Sequence, residues 1–500
     1  MKSRMTPDDL VWEQAEDIAD NWVLQFLDTE RLRPIAEFIR KDRMGSGDRF
    51  FFHTRGSYNI KMRLMSHDYD GIVIQFAQPG SVLFPEEKVA NEVVVMRFIM
   101  DQTAIPVPLI LHSGTKKESP LELSPFIMME YIEYEKKMYD ALNTPECPRE
   151  KRGVLDPNID QDTLELLYGQ MAKIVLQLSL PSLPRIGSLT QIDDFTWEVT
   201  RRPLSSNMNE LVRRGGLPRS AGLLPLPDTT YATASSYFET LAELHVAHFI
   251  YQRNDAIESA DDCRRKFIAR HLFRKLAREK RLTTPSHETG PFKLWCDDFR
   301  PANVLLNKHN NIAGVIDWEF TYAAPVEFSH APPWWLLIER PELWTKGIED
   351  WTNQFDHRLN TFLNALKNCE DTMIQQGRIT EPQRLSGPML RSWESGDFWI
   401  MYAALNSFAF DAIYWQKIDP RFFEHTEDPE EAWKDRLHLL DEEEKTQMEK
   451  LVTHKLEDMK TRVLSWDPDE STLAFQQELT RRREQESKEE APVDEANAPE

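Results

Sequence analysis

Cysteine is scarce: Cys147, Cys263, Cys296 and Cys369 are the only four in 500 residues, far apart and without a CxxC pair. This spacing excludes a disulfide framework or a zinc knuckle as the organising device and points to a reducing compartment. Long apolar runs are also missing, so no segment approaches the length of a membrane span. The opening stretch, "MKSRMTPDDLVWEQAEDIADNWV", interleaves acids with apolar side chains, which disfavours both a signal peptide and a mitochondrial presequence. A cytoplasmic location is therefore expected. Positive charge is in deficit, with 60 Lys and Arg against 83 Asp and Glu and a net charge of −23. Phosphate backbones and anionic membranes demand clustered cations, so neither a nucleic acid nor a membrane is an expected partner. A cationic or neutral substrate, or one carried in by a metal ion, fits the balance better. No repeat period is visible.

What is present is apolar content of 41%, including 10% aromatic residues, enough to bury a large core over two or three lobes. Residues 1–44 read as an N-terminal helical extension, with Pro7, Asp8 and Asp9 resembling a helix start. Residues 45–130 carry the β-rich runs "FFFHT", "NIKMRLM", "GIVIQF" and "PFIMMEY" around one helix, "PEEKVANEVVVMRFIM". Residues 131–468 turn mainly helical, as in "LELLYGQMAKIVLQL", whose apolar residues fall at 164, 167, 171, 174 and 178, and in a second helical stretch from about Ala234 to Ile250. Residues 469–500 end in a tail with almost no apolar content, expected to be disordered. The fold class implied is α+β, a small β-rich N-lobe followed by a large mainly helical C-lobe, with the ligand site in the cleft between them.

One segment of that C-lobe, "LWCDDFRPANVLLNKHNNIAGVIDWEF", mixes acids with short apolar runs. "NVLL" and "IAGVID" flank the polar turn "NKHNN" and read as a hairpin whose paired residue numbers sum to about 618–620. That register sets Asn303 opposite residues 315–317, so that Asn303 and Asp317 meet. Asp298, five residues earlier across a loop containing Pro301, overlooks the same point. Two carboxylates and an amide oxygen suit Mg²⁺, whose remaining ligands are waters and phosphate oxygens.

D-F-R-P-A-N followed by V-I-D-W-E resembles the catalytic and metal-binding segments of protein-kinase-like phosphotransferases, in the variant carried by the aminoglycoside phosphotransferase and choline kinase family. The resemblance covers about residues 50–340. It implies a protein-kinase-like fold, ATP or GTP as co-substrate with Mg²⁺, and transfer of the γ-phosphoryl group to a hydroxyl of a small molecule. It makes Asp298 the catalytic acid–base group and Asn303 and Asp317 the metal ligands. Gly56, Ser57, Tyr58 and Asn59 resemble the loop that covers the phosphates, Val73 and Gln75 lie on the strand behind it, and "FIMMEYI" resembles the hinge, where backbone groups near Met129, Glu130 and Tyr131 would bind adenine.

The helix "PEEKVANEVVVMRFIM" reads with an apolar stripe of Val89, Val93, Met96 and Met100 and with Glu92 on the same side. A carboxylate on a buried face requires a partner. In the family this partner is a strand Lys or Arg that grips the α- and β-phosphates, whereas here the matching position is the neutral Gln75. Either Lys61 or Arg63 on the preceding strand takes its place, or the chain binds nucleotide as a catalytically weak scaffold or regulator. Two further departures are Cys296 and Asp297, where the family carries His and Gly, and "APVEFSHAPPWW" after the metal Asp. His245 and His248 share a helix with an apolar stripe and read as core or capping residues, and Trp334 and Trp335 as loop anchors.

Overall fold

A computed structural model describes residues 5–43, 49–65, 71–148, 151–217, 229–424, 426, 428 and 431–464. The expected acidic tail lies outside the described residues.

The chain opens with two helices, α1 (Asp9–Leu24) and α2 (Thr29–Arg43). Asp8 caps α1 by accepting from the Val11 N–H, as the Pro-Asp-Asp signal implied. The N-lobe sheet follows, built from β1 (Arg49–Arg55), β2 (Asn59–Met65), β3 (Ile72–Ala77), β4 (Ile110–Gly114) and β5 (Phe126–Glu130), with α3 (Pro85–Gln102) between β3 and β4. Its order is β1-β2-β3-β5-β4 and every neighbouring pair is antiparallel.

The strands alternate in composition and so sort their side chains onto two faces. Ile60, Met62, Leu64, Ile72, Ile74, Phe76, Phe126 and Met128 form one apolar face, covered by Trp22, Phe26, Ile35 and Ile39 of the N-terminal helices. The extension thus shares a core with the sheet. Val73, Ala77, Ile127 and Met129 point the other way, into the core that α3 and the C-lobe share. Lys61 stands opposite Gln75, and Arg63 opposite Val73, on this second face.

The expected one-sided stripe on α3 holds for Val89, Val93 and Met96 but not for Met100, which is 43% exposed. Instead the helix is buried over most of its circumference, with Lys88, Asn91, Val95, Phe98 and Ile99 also inside. It is wedged between the sheet and the C-lobe. Asn91 donates to the backbone of Thr321 at 2.9 Å, and Phe98 packs edge-on against Trp197 at 5.5 Å.

The remainder is mainly helical. The stripe Leu164, Leu167, Met171, Ile174, Leu178 is buried along Gln161–Ser179, and the second foreseen helix spans Ala234–Tyr251. His245 and His248 are fully buried in it, bonded to Ser407 and Gln252 at 2.8 Å each, in agreement with a core role. Trp335 anchors the core as expected, whereas Trp334 is only partly buried and lines a cavity. Among the described residues, no helix is long and apolar enough to cross a membrane.

Candidate active site

The hairpin forms with the expected register. Val304 pairs with Val315 and Leu305 with Gly314, and Ile316 donates its N–H to the Asn303 carbonyl at 3.0 Å. Asp317 follows at the end of the return strand with φ of +65°, a conformation costly for a residue with a Cβ and retained where the surroundings dictate it. The strand Lys293–Cys296 pairs with Thr321–Ala324, a partner the sequence did not reveal, and together these pairings fix both ends of the acidic segment.

A cavity of about 610 Å³ opens between the lobes and is lined by Asp298, Asn303 and Asp317, and by Gly56, Ser57, Tyr58 and Asn59 from the β1–β2 turn. Asn303 donates from Nδ2 to both the carbonyl and Oδ2 of Asp298, at 2.8 and 3.1 Å. This engages the amide nitrogen and leaves Oδ1 for a cation. Asp298 also meets the Arg300 guanidinium at 2.8 Å. Its neighbour Asp297 also lines the cavity and accepts from the Ser206 N–H, Trp295 Nε1 and the Tyr322 hydroxyl. Burial pushes the Asp297 carboxyl up to about 6 despite those donors. It ties the start of the helix Ser206–Gly215 to this segment.

Lys61 and Arg63 have different surroundings. Lys61 lines the cavity and its Nζ lies 2.7 Å from Asp317 Oδ1. Burial alone would raise the Asp317 carboxyl, but the ammonium groups of Lys61, Lys137 and Lys88 hold it below the usual carboxylate range. Burial acts against charged Lys61 too, and Asp317, Glu92 and Glu319 outweigh it, so its pKa is raised. Arg63 points elsewhere. Its guanidinium lies 3.3 Å from the centroid of the Tyr131 ring and pairs with Glu133.

Glu92 is indeed buried with partners. Gln75 Nε2 donates to Glu92 Oε2 at 3.1 Å, while the cation comes from Lys88 on the same helix, 3.7 Å away. Lys88 also pairs with Glu319 and donates to Asn59 Oδ1, and Asn59 in turn donates to Glu319 Oε2 at 2.7 Å. Burial raises Glu92 to about 7, with Lys88 pulling down and Glu319 pushing up. Lys88 and Glu319 were missed in the sequence, although Lys88 stands four residues before Glu92, the spacing of a helical ion pair.

The rest of the expected nucleotide-binding set, including the base-binding residues, does not line this cavity. Val73, Gln75, Glu92, Met129, Glu130 and Tyr131 all lie outside its lining. Val73 and Met129 pack in the core, and the N–H groups of Glu130 and Tyr131 already donate to the carbonyls of Leu109 and Gly71, at 3.0 Å each. The phosphate-side expectation fares differently. Gln78 fixes the turn by donating to the Gly56 carbonyl, and the Tyr58 hydroxyl reaches across the cleft to Glu210 at 2.8 Å.

No protein-family model matches the chain. One curated relative, "Altered inheritance of mitochondria protein 9, mitochondrial" of Debaryomyces hansenii, is 24% identical over 49% of this chain; the match spans 42% of that relative's length, less than half of it. Solved structures similar to the chain include aminoglycoside phosphotransferase APH(4)-Ia, at 14% identity over 76% of this chain and 98% of that one, with a TM-score of 0.40. Another is ADP-bound APH(2'')-Ib, at 13% identity over 77% and 99%, with a TM-score of 0.37. The functional reading rests on the cleft itself.

Proposed function

We propose that the chain is a Mg²⁺-dependent phosphotransferase that moves the γ-phosphoryl group of ATP or GTP to a hydroxyl of a small molecule. The single observation that carries this is the convergence of Asp298, Asn303, Asp317 and Lys61 on one interlobe cavity beneath the Gly56–Asn59 turn. In this reading Asp298 orients the acceptor hydroxyl and takes its proton as the oxygen bonds to the γ-phosphorus and the nucleoside diphosphate leaves. Lys61 stands in for the strand lysine that Gln75 replaces, and the turn's backbone N–H groups face the phosphates. Asn303 Oδ1 and the Asp317 carboxylate are the hard-oxygen donors that would hold Mg²⁺. No group of three His, Cys, Asp or Glu side chains is assembled for a metal among the described residues, so waters and phosphate oxygens would complete its shell. The ion supplies neutralisation of phosphate charge when bound. The base enters where Arg63 now lies on Tyr131, which requires that side chain to move aside.

Asp298→Asn is the direct test. It is expected to lower turnover by roughly 10²–10⁴-fold while leaving Mg²⁺-dependent stabilisation by ATP close to the parent's. Unchanged turnover would remove Asp298 from the chemistry. The second reading, a nucleotide-binding scaffold, draws on the neutral Gln75 and on Arg63 occupying the Tyr131 face. Nucleotide stabilisation without transfer to any of a broad panel of hydroxyl compounds would favour it. A cytoplasmic site of action belongs to the same proposal; cell fractionation that places the chain in mitochondria, the organelle in the curated relative's name, would replace it.

A further inference from the structure

The cavity that holds Asp298 is also lined by Arg340, Arg152 and Arg300. Arg340 is held from one side only. Its guanidinium lies over the Trp334 ring at 4.7 Å, and Nη1 donates to Asn406 Oδ1 at 2.8 Å. Asn406 is itself oriented by donating to the Tyr402 carbonyl at 2.7 Å. Among the described residues Arg340 makes no ion pair, although Glu342 and Asp298 influence it at longer range. Those two acids are engaged elsewhere: Glu342 accepts from the Tyr402 hydroxyl at 2.7 Å, and Asp298 meets Arg300 and Asn303. A guanidinium stays charged and carries five N–H donors in a fixed fork that matches a carboxylate or a phosphate. Held rigidly in a half-dry cleft without a counterion, it is completed by an anion from outside.

We propose that the acceptor is itself an anion, a small hydroxy compound with a carboxylate or phosphate group that Arg340 binds with Arg152 and Arg300 nearby, its hydroxyl presented to Asp298. The inference rests on the phosphotransferase reading. It departs from the expectation set by the net charge, because that charge is spread over the whole chain whereas Arg340, unlike Arg152, Arg214 and Arg300 in the same cavity, has no ion pair among the described residues. A polycationic acceptor is disfavoured by that guanidinium.

The test uses the Asp298→Asn protein with Mg²⁺ and AMP-PNP, and compares matched ligands by thermal shift and calorimetry. Glycerate against glycerol and gluconate against glucose form the carboxylate arm, glucose 6-phosphate against glucose the phosphate arm, and kanamycin the polycation control. Binding by one anionic arm but not by its neutral partner is expected, and the arm that binds identifies the group. Arg340→Gln, made in the same background, should weaken that binding about tenfold or more, with AMP-PNP affinity unchanged. Arg340→Lys, which keeps the charge and loses the fork, should fall between, so a misfolded glutamine variant does not leave the question open. Neutral or polycationic ligands binding better than the anions, no anion binding at all, or Arg340→Gln binding like its parent overturns the proposal. Anion binding without any AMP-PNP binding would instead sink the phosphotransferase reading and leave the anion site standing.

Discussion

Lys88, four residues before Glu92 on the same helix, is a cation beside that buried carboxyl, and the carboxyl's surroundings decide how it responds to pH. Burial lifts the Glu92 carboxyl to about 7 from an ordinary value of 4.5. Between those values the folded chain holds a proton that the unfolded chain has released. The residue's contribution to stability is therefore present at low pH, falls as pH rises through that window, and levels off above about 7. Glu92→Gln keeps the acceptor for Gln75 and cannot titrate. Its unfolding free energy relative to the parent's, measured by urea denaturation from pH 5 to 8, should increase with pH up to about 7 and then level off. An identical slope would mean that the carboxyl titrates normally. Sequence alone identified Glu92 as a buried acid but not its partner, because an i to i+4 lysine also occurs on any solvated helix and becomes a buried pair only when the C-lobe covers it.

At the scale of elements, the N-lobe sheet was readable because alternation of polar and apolar residues directly records which face is covered. Ile74 sits fully buried in the face under the N-terminal helices, beside Phe76 and Trp22. Ile74→Ala should destabilise the protein by about 2–5 kcal/mol, the cost of lost burial plus the cavity left behind. A chemical denaturation midpoint close to the parent's would show that the two helices collapse onto the gap. The acidic hairpin was equally legible, since a short turn fixes register and a one-residue slip would expose its apolar face. The helix α3 was read less well. A single stripe presumes one covered side, and this helix is covered by the sheet on one side and by the C-lobe on another, leaving Met100 as the exposed exception. The expected hinge illustrates a different failure: Met129 and Glu130 end an inner strand and Tyr131 lies just beyond it, and only the tertiary structure shows that the N–H groups of Glu130 and Tyr131 already have partners.

Over the whole molecule, buried histidines set the acid limit. Burial lowers His248 to about 3 and His271 and His330 to about 4, with nearby cations adding to the effect. An unfolded chain protonates these side chains near 6.5, so as pH falls below that value the unfolded state gains protons that the folded state refuses. Each histidine then costs about 1.4 kcal/mol per pH unit down to its folded value. These costs are felt as pH falls from about 6.5 toward 4, and the raised carboxyls of Glu92 and Asp297, which hold protons in the folded chain, offset part of them. Urea denaturation at pH 6.5 and at pH 4 checks this. A stability at pH 4 no lower than at pH 6.5 would contradict it.

The sequence by itself determined the lobes, the strand faces and the acidic hairpin, because those follow from spacing along the chain and from the need to hide apolar side chains. It also placed Asp298, Asn303 and Asp317 near one another, since a hairpin brings its own ends together. Only the tertiary structure set Lys61 beside Asp317, joined Lys88 to Glu319 across the lobes, and left Arg340 at the cavity with no ion pair among the described residues. These pairings link side chains far apart in the chain, and electrostatic energy depends on distance and burial in space, quantities that linear order does not contain.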